Sequence, residues 1–302
     1  MGMLVNGVWQ VKNPENIEGG FVRPESPYRD IISRKTMGRK PSRFVLYVSL
    51  ACPWASSVLI VRKLAGLESV VEVRYVSPYM GDQGWMLEKP NKETGAKMLH
   101  ELYTQTDPNF TGKVTVPILW DTQNKCIVNN ESMDLIMMMN NEWSHFVEGD
   151  FNLMPNNIRY DVQVKCDWIY EQIANAVYRV GFASKQSVYE KECNQLFEAL
   201  DRLEIELLDG RSYLLGSEIL LCDVRLFVVL VRFDIVYYGH FKCNQRQIRD
   251  YPQLTAYMMR IYDQVWDTVD VDAIKTHYYQ SHPWINPTQI VPVGPYHDFN
   301  RE

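Results

Sequence analysis

One cysteine, Cys52, closes the run Leu46-Tyr47-Val48-Ser49-Leu50-Ala51 and is followed at once by Pro53-Trp54-Ala55. Only the ionised form of a thiol is a strong nucleophile, so the surroundings of Cys52 decide what it can do. Leu46 to Leu50 reads as a short buried strand. Trp54, Val58, Val61 and Leu64 then recur at helical spacing, which sets Cys52 at a helix N-terminus. The unpaired amide N–H groups of a first turn, with the helix dipole, favour a thiolate at that place. Pro53 suits the first turn, where its missing N–H costs nothing. Three positions beyond Cys52, where a dithiol site carries its second cysteine, stands Ala55. A mixed disulfide formed at Cys52 must therefore be released by an external thiol. The bland alternative is a buried, inert cysteine, since free Cys is among the most buried residue types.

The elements that must position this thiol follow from periodicity. Phe44 to Leu50 is predicted as a strand, Trp54 to Ala65 as a helix ending near Gly66, and Val70 to Val76 as a second strand, a βαβ unit. Ser77 to Thr111 is long and polar and reads as a functional loop. Pro117–Trp120 and Cys126–Asn129 read as a hairpin about Asp121-Thr122-Gln123-Asn124, after which Asn130-Glu131-Ser132 opens a helix. This βαβ-then-ββα order is the thioredoxin arrangement. Beyond Asn140 the pattern is helical: Val162, Cys166, Ile169, Ile173 and Ala176 form one apolar face, Cys193, Leu196, Leu200, Leu203 and Leu207 another, and Leu221 to Tyr237 is apolar on nearly every side. Leu254, Met258, Ile261 and Val265 mark one more helix. The expected organisation is an extension over residues 1–42, a thioredoxin-like α/β domain over 43–142, and an all-α domain over 143–302. The extension, with Pro14, Pro24, Pro27, Pro41 and Gly19-Gly20, is expected to be irregular, with Phe21 and Ile31-Ile32 as anchors. The tail from His277, with Pro283, Pro287, Pro292 and Pro295, is expected to be irregular as well. A small α/β domain followed by a helical one resembles the architecture of glutathione transferases.

Composition narrows the function classes. The 302 residues leave room for two cores, and a net charge of −6 without a long single-sign run gives no footprint for nucleic acid. Ile219 to Tyr238 is broken by Asp223, Arg225, Arg232 and Asp234, so it is expected to be a buried helix and not a membrane span. Met1 to Gln10 shows neither a signal nor a transit peptide. Cysteines at 52, 126, 166, 193, 222 and 243 lack paired spacing, which points to a reducing, cytoplasmic setting where the usual external thiol is glutathione.

Several local strings then resemble one family. Leu46 to Ala55, Gly84-Trp85, Thr115-Val116-Pro117-Ile118-Leu119-Trp120-Asp121, Asn129-Asn130-Glu131-Ser132, Arg232-Phe233-Asp234 with His240-Phe241-Lys242-Cys243, and His277-Tyr278-Tyr279 leading to Ile290-Val291-Pro292 resemble the glutathionyl-hydroquinone reductases, the Xi class of glutathione transferases. The resemblance makes Cys52 the nucleophile and glutathione the co-substrate, with no metal. It implies a cis Pro117, with the Val116 backbone pairing with the cysteinyl part of glutathione. Glu131 and Ser132 would hold the γ-glutamyl end, Trp85 would contact the tripeptide, and Lys113 would stand near its glycine carboxylate. Tyr178, Tyr237 and one of Tyr278 and Tyr279, with Tyr279 preferred, match the family's active-site tyrosines. The reaction implied converts a glutathionyl-hydroquinone and glutathione into hydroquinone and glutathione disulfide, in a homodimer joined through the helical domains.

Two departures stand out. Ser56-Ser57 replaces the His-Arg that often follows Cys-Pro-Trp-Ala in the family, and Leu220 stands where a Ser or Thr cap usually precedes Asp223. A missing cap weakens a helix start by about 1 kcal/mol. The rival readings are an Omega-like thiol transferase or dehydroascorbate reductase, which needs the same thiolate, and a non-catalytic binding module on the transferase fold, which does not. A metal site at His240 and Cys243 lacks a second pair at ligand spacing.

Overall fold

The computed structural model describes residues 2–11, 16–17, 20–21, 25–39 and 41–295. The chain opens with a hairpin: β1 (Gly2–Val5) pairs antiparallel with β2 (Val8–Val11) through Asn6-Gly7. Both turn residues have positive φ, 47° and 75°, the conformation that Asn-Gly adopts readily. This corrects the expectation of an irregular extension. Leu4 is fully buried, so the hairpin is fixed by packing as well as by pairing. A two-residue pair, β3 (Asn16–Ile17) with β4 (Gly20–Phe21), and a short helix α1 (Arg34–Arg39) complete the extension. Of the expected anchors, Ile32 packs on the core while Ile31 is exposed; Pro14, Gly19, Pro24 and the side chain of Phe21 lie outside the described residues.

β5 (Phe44–Val48) is buried at every position and forms the centre of a five-stranded sheet. It runs parallel to β6 (Glu72–Gly81), to which α2 (Pro53–Leu64) leads. β7 (Gly84–Leu87) pairs antiparallel on the outer edge of β6. On the other side lie β9 (Ile118–Asp121) and β10 (Cys126–Asn129), both antiparallel to their neighbours, giving the order β10-β9-β5-β6-β7. The stretch 77–111 is thus no loop. It carries the end of β6, β7 and α3 (Leu99–Thr106), because Gly84, at φ 74°, lets the chain reverse after Asp82-Gln83. β8 (Gly112–Lys113) pairs with β1, setting Lys113 opposite Met3 and so tying the N-terminal hairpin to the α/β layer.

α4 (Ser132–Met138) packs on α2, and the helical part follows: α5 (Arg159–Ile169), α6 (Ala176–Gly181), α7 (Gln186–Glu206), α8 (Leu221–Arg232), α9 (Pro252–Val265) and α10 (Val271–Ser281). α8 is central, touching α5, α9 and α2. α4, α5 and α8 each continue into a wider π-type turn, at Met139–Trp143, Tyr170–Ala174 and Phe233–Tyr237. α10 corrects the expected irregular tail. Asp270 caps it through Ala273 N at 2.8 Å, and the prolines begin only at Pro283, after its last turn. No helix among the described residues is long and apolar enough to cross a membrane.

Leu220 caps α8 without a side-chain bond, as expected. Asp223 supplies the other arm, accepting from Leu220 N at 2.8 Å, Leu214 N at 2.9 Å and the Tyr257 hydroxyl at 2.8 Å.

Candidate active site

A cleft of about 460 Å³ opens between the sheet layer and the helices. Its floor is the turn from β5 into α2. Cys52 caps α2 with extended backbone angles (φ −78°, ψ 122°), Pro53 takes the first helical position, and the Cys52 carbonyl accepts from Ser56 N at 2.9 Å. The thiol is half-buried and lines the cleft, its Sγ donating to the Val116 carbonyl at 3.8 Å. Among the described residues no two cysteines are joined, and Cys166, Cys193, Cys222 and Cys243 are buried. Burial pushes the Cys166 thiol up to about 12 and raises those of Cys222 and Cys243 well above their usual range.

The expected tripeptide contacts converge on the same cleft. Val116-Pro117 is cis, and both residues line the wall with Trp85, Lys113, Glu131 and Ser132. Glu131 caps α4, accepting from Met133 N at 3.2 Å. Its second oxygen accepts from the Ser26 hydroxyl at 2.9 Å, which draws the N-terminal extension into the site. Asn130 instead braces the backbone, accepting from Tyr28 N at 3.0 Å and donating to the Tyr103 hydroxyl at 3.2 Å. Trp85 stacks on His277 with centroids 4.7 Å apart, and His277 Nδ1 bonds the Pro78 carbonyl at 3.0 Å.

The tyrosines need one correction. Tyr178 shares a hydrogen bond of 2.8 Å with Tyr278, and Tyr278 shares one of 3.1 Å with Tyr237. Tyr178 and Tyr278 line the cleft, whereas Tyr237 is fully buried behind them. Tyr279, the preferred member of its pair, lies on the other face of α10 against His240, centroids 4.9 Å apart, and does not line the cleft. Adjacent residues of a helix point about 100° apart, so only one of the two could face it. Burial raises the Tyr237 and Tyr278 hydroxyls well above their usual range, so both stay protonated at neutral pH.

Residues that sequence reasoning did not place here include Trp9, Arg225 and His282. Trp9 comes from β2. Its indole N–H donates to the Asp82 carbonyl at 2.6 Å and its ring stacks on His100 at 5.0 Å. Gly84 leaves the room, since a Cβ there would stand 2.7 Å from the Trp9 ring. Asn6-Gly7 between short apolar runs was the signal that could have found this hairpin. Arg225 lies over the Tyr170 ring at 5.0 Å, and Tyr170 in turn meets Trp54 at 5.7 Å. His282 Nδ1 meets His240 Nε2 at 3.0 Å, while Cys243 Sγ donates to the Val177 carbonyl at 4.0 Å, so His240 and Cys243 have separate partners.

Residues 51–142 match the family model described as glutathione S-transferase, N-terminal domain, and residues 186–260 the one described as glutathione S-transferase, C-terminal domain. The chain is 43% identical to the glutathionyl-hydroquinone reductase PcpF of Sphingobium chlorophenolicum, over 98% of this chain and 96% of that one. It superimposes with TM-score 0.87 on the crystal structure of glutathione S-transferase Xi from Phanerochaete chrysosporium, at 43% identity, covering 91% of this chain and 97% of that one. It superimposes with TM-score 0.85 on the glutathione-bound structure of YqjG from Escherichia coli K-12, at 36% identity, covering 99% and 97%.

Proposed function

Because this chain belongs to the Xi-class glutathione transferases, the glutathionyl-hydroquinone reductases, we propose that Cys52 is the nucleophile that takes the glutathionyl group from the quinol ring. The observation that carries this is the placement of its Sγ, half-buried at a helix start and open to a cleft that also gathers Trp85, Lys113, Val116, Pro117, Glu131 and Ser132. In the substrate an aryl carbon is bonded to the glutathione sulfur. A thiolate attack on that sulfur would leave negative charge on carbon, so the ring carbon is first protonated through a keto tautomer of the quinol. Tyr178, half-buried on the wall, moves that proton, and Tyr278 and Tyr237 hold its hydroxyl in line. The Cys52 thiolate then forms the S–S bond, the C–S bond breaks, and the ring leaves as hydroquinone. A second glutathione thiolate attacks the mixed disulfide, restoring Cys52 and releasing glutathione disulfide.

Glutathione is held in this reading by the Val116 backbone beside the cysteinyl unit, by Ser132 and Glu131 at the γ-glutamyl end, and by Lys113 near the glycine carboxylate. Lys in place of Arg keeps the charge and gives up bidentate geometry. No metal enters the reaction. The working enzyme is a cytoplasmic homodimer joined through the helical part, supported by the exposed Tyr160 and Val164 of α5 beside Ile205 and Leu208, next to the Lys165–Glu206 pair at 2.6 Å.

Mass spectrometry after exposure to a glutathionyl-hydroquinone is expected to find one glutathione on Cys52 and none in Cys52→Ser, which should also lose turnover. Retained turnover in that variant would remove the nucleophile. An Omega-like preference would appear as a faster rate on dehydroascorbate than on the quinol conjugate.

A further inference from the structure

Arg232, the last residue of α8, is 1% exposed and lies behind the turn that presents Cys52. Its Nε donates to the Ala51 carbonyl at 3.0 Å and its Nη2 to the Leu50 carbonyl at 2.9 Å. Nη2 also donates to the Ser56 hydroxyl at 2.6 Å, and Nη1 to the Val228 carbonyl at 2.9 Å. The Ser56 hydroxyl passes its own proton to the Leu50 carbonyl at 3.2 Å, so guanidinium, hydroxyl and turn form one closed network. Every acceptor in it is a neutral dipole, and no carboxylate among the described residues pairs with Arg232. Burying an unpaired cation is costly unless dipoles or an anion compensate it. On this turn the group able to carry a negative charge is Cys52, one residue beyond Ala51.

We propose that Arg232 is a positioning residue for Cys52: from beneath, its guanidinium fixes the strand-to-helix turn and supplies the buried positive charge that the thiolate neutralises. The inference rests on Cys52 as the reacting thiol. Tyr237, Tyr278 and His277 also feel the Arg232 charge, yet burial outweighs it for both tyrosines and keeps them protonated. Ser56 belongs to the same device. A small hydroxyl at this position fits between the guanidinium and the Leu50 carbonyl and leaves the turn with a single fixed cation.

Other charges face Cys52 across the cleft: the cations Arg29, Lys113 and Arg225 and the carboxylates Glu25 and Glu131. Tyr170, Tyr178, Tyr278, His277 and His282 are the other titratable groups that share it. All are unchanged in Arg232 variants, so a difference between variants isolates the buried cation.

The test is the rate of Cys52 alkylation by iodoacetamide against pH, read on the Cys52 peptide by mass spectrometry in the full-length protein, with thermal melting alongside. Arg232→Gln is expected to move the midpoint up by about one pH unit, a tenfold slower reaction below it. Arg232→Lys, which keeps the charge and loses the forked contacts, is expected to hold the midpoint within about 0.3 unit while turnover falls severalfold. An unchanged profile in Arg232→Gln, with only the melting temperature lowered, overturns the proposal. So does a shift in Arg232→Lys as large as that in Arg232→Gln. Should the Gln variant fail to fold, the Lys profile alone decides, because a raised midpoint there rules out charge as the agent. Alkylation needs no turnover, so this outcome is separable from the fate of Cys52 as nucleophile.

Discussion

Acidification should weaken this protein before most of its carboxylates are titrated, and the cause is a set of buried neutral histidines. Burial pushes His240 down to about 3 and His277 to about 4, and holds His282 well below its usual range. Lys242 and His277 add repulsion at His240, which otherwise faces His282 and Tyr279. An unfolded histidine titrates near 6.5, so between about pH 6.5 and 4 the unfolded chain binds protons that the folded chain refuses. Stability contributed by these groups is therefore complete above about pH 6.5 and is lost as pH falls. At pH 5 the unfolded side gains RT ln(1 + 10^1.5), about 2 kcal/mol per histidine, and because both folded values lie below 5 the figure hardly depends on them. His240 and His277 together give about 4 kcal/mol, or roughly 10 °C in melting temperature for a chain of this size. Asp223 and Asp234, raised by burial, bind protons first in the folded state and act in the opposite direction. The measurement is accordingly a difference: urea unfolding of the parent and of His240→Asn at pH 7.5 and 5.0, at one protein concentration. The variant should escape about 2 kcal/mol of the acid loss. Equal losses in the two proteins would refute the reasoning.

Tyr178→Phe should slow hydroquinone release by about 10²-fold or more with little change in glutathione affinity, as single-turnover kinetics would show. Tyr279→Phe, outside the cleft, should leave turnover within about twofold. Gly84→Ala should cost about 1–3 kcal/mol in denaturant melts, since a side chain there meets both a φ of 74° and the Trp9 ring. Asp223→Ala should cost about 3 kcal/mol or more by the same assay, because it leaves two buried backbone N–H groups and the Tyr257 hydroxyl without an acceptor.

The parts legible in the sequence were those with strong local periodicity. Phe44 to Leu50, the helix after Cys52 and the long amphipathic faces around Val162 and Leu196 lie where the spacing placed them. What escaped was short structure fixed by distant partners. β7 and α3 are brief elements set within a polar stretch, and β1 gains its place by pairing with Gly112-Lys113 more than a hundred residues away. The choice between Tyr278 and Tyr279 turned on the rotation of α10, which depends on packing against β6 and the π turn after α8 and not on composition. Arg232 was visible as part of a motif. Its reach to Leu50 and Ala51 required the packing of α8 on α2.

The N-terminal hairpin has a practical corollary for anyone trimming this enzyme. The ranges recognised as transferase domains begin at residue 51 and end at 260. Yet Trp9 and Ser26 from one extremity, and His277, Tyr278 and His282 from the other, line the cleft that opens on Cys52. An expression fragment cut to the recognisable domains would keep Cys52 and discard part of the wall above it, and a bulky fusion ahead of Gly2 would stand at the rim of the same cleft.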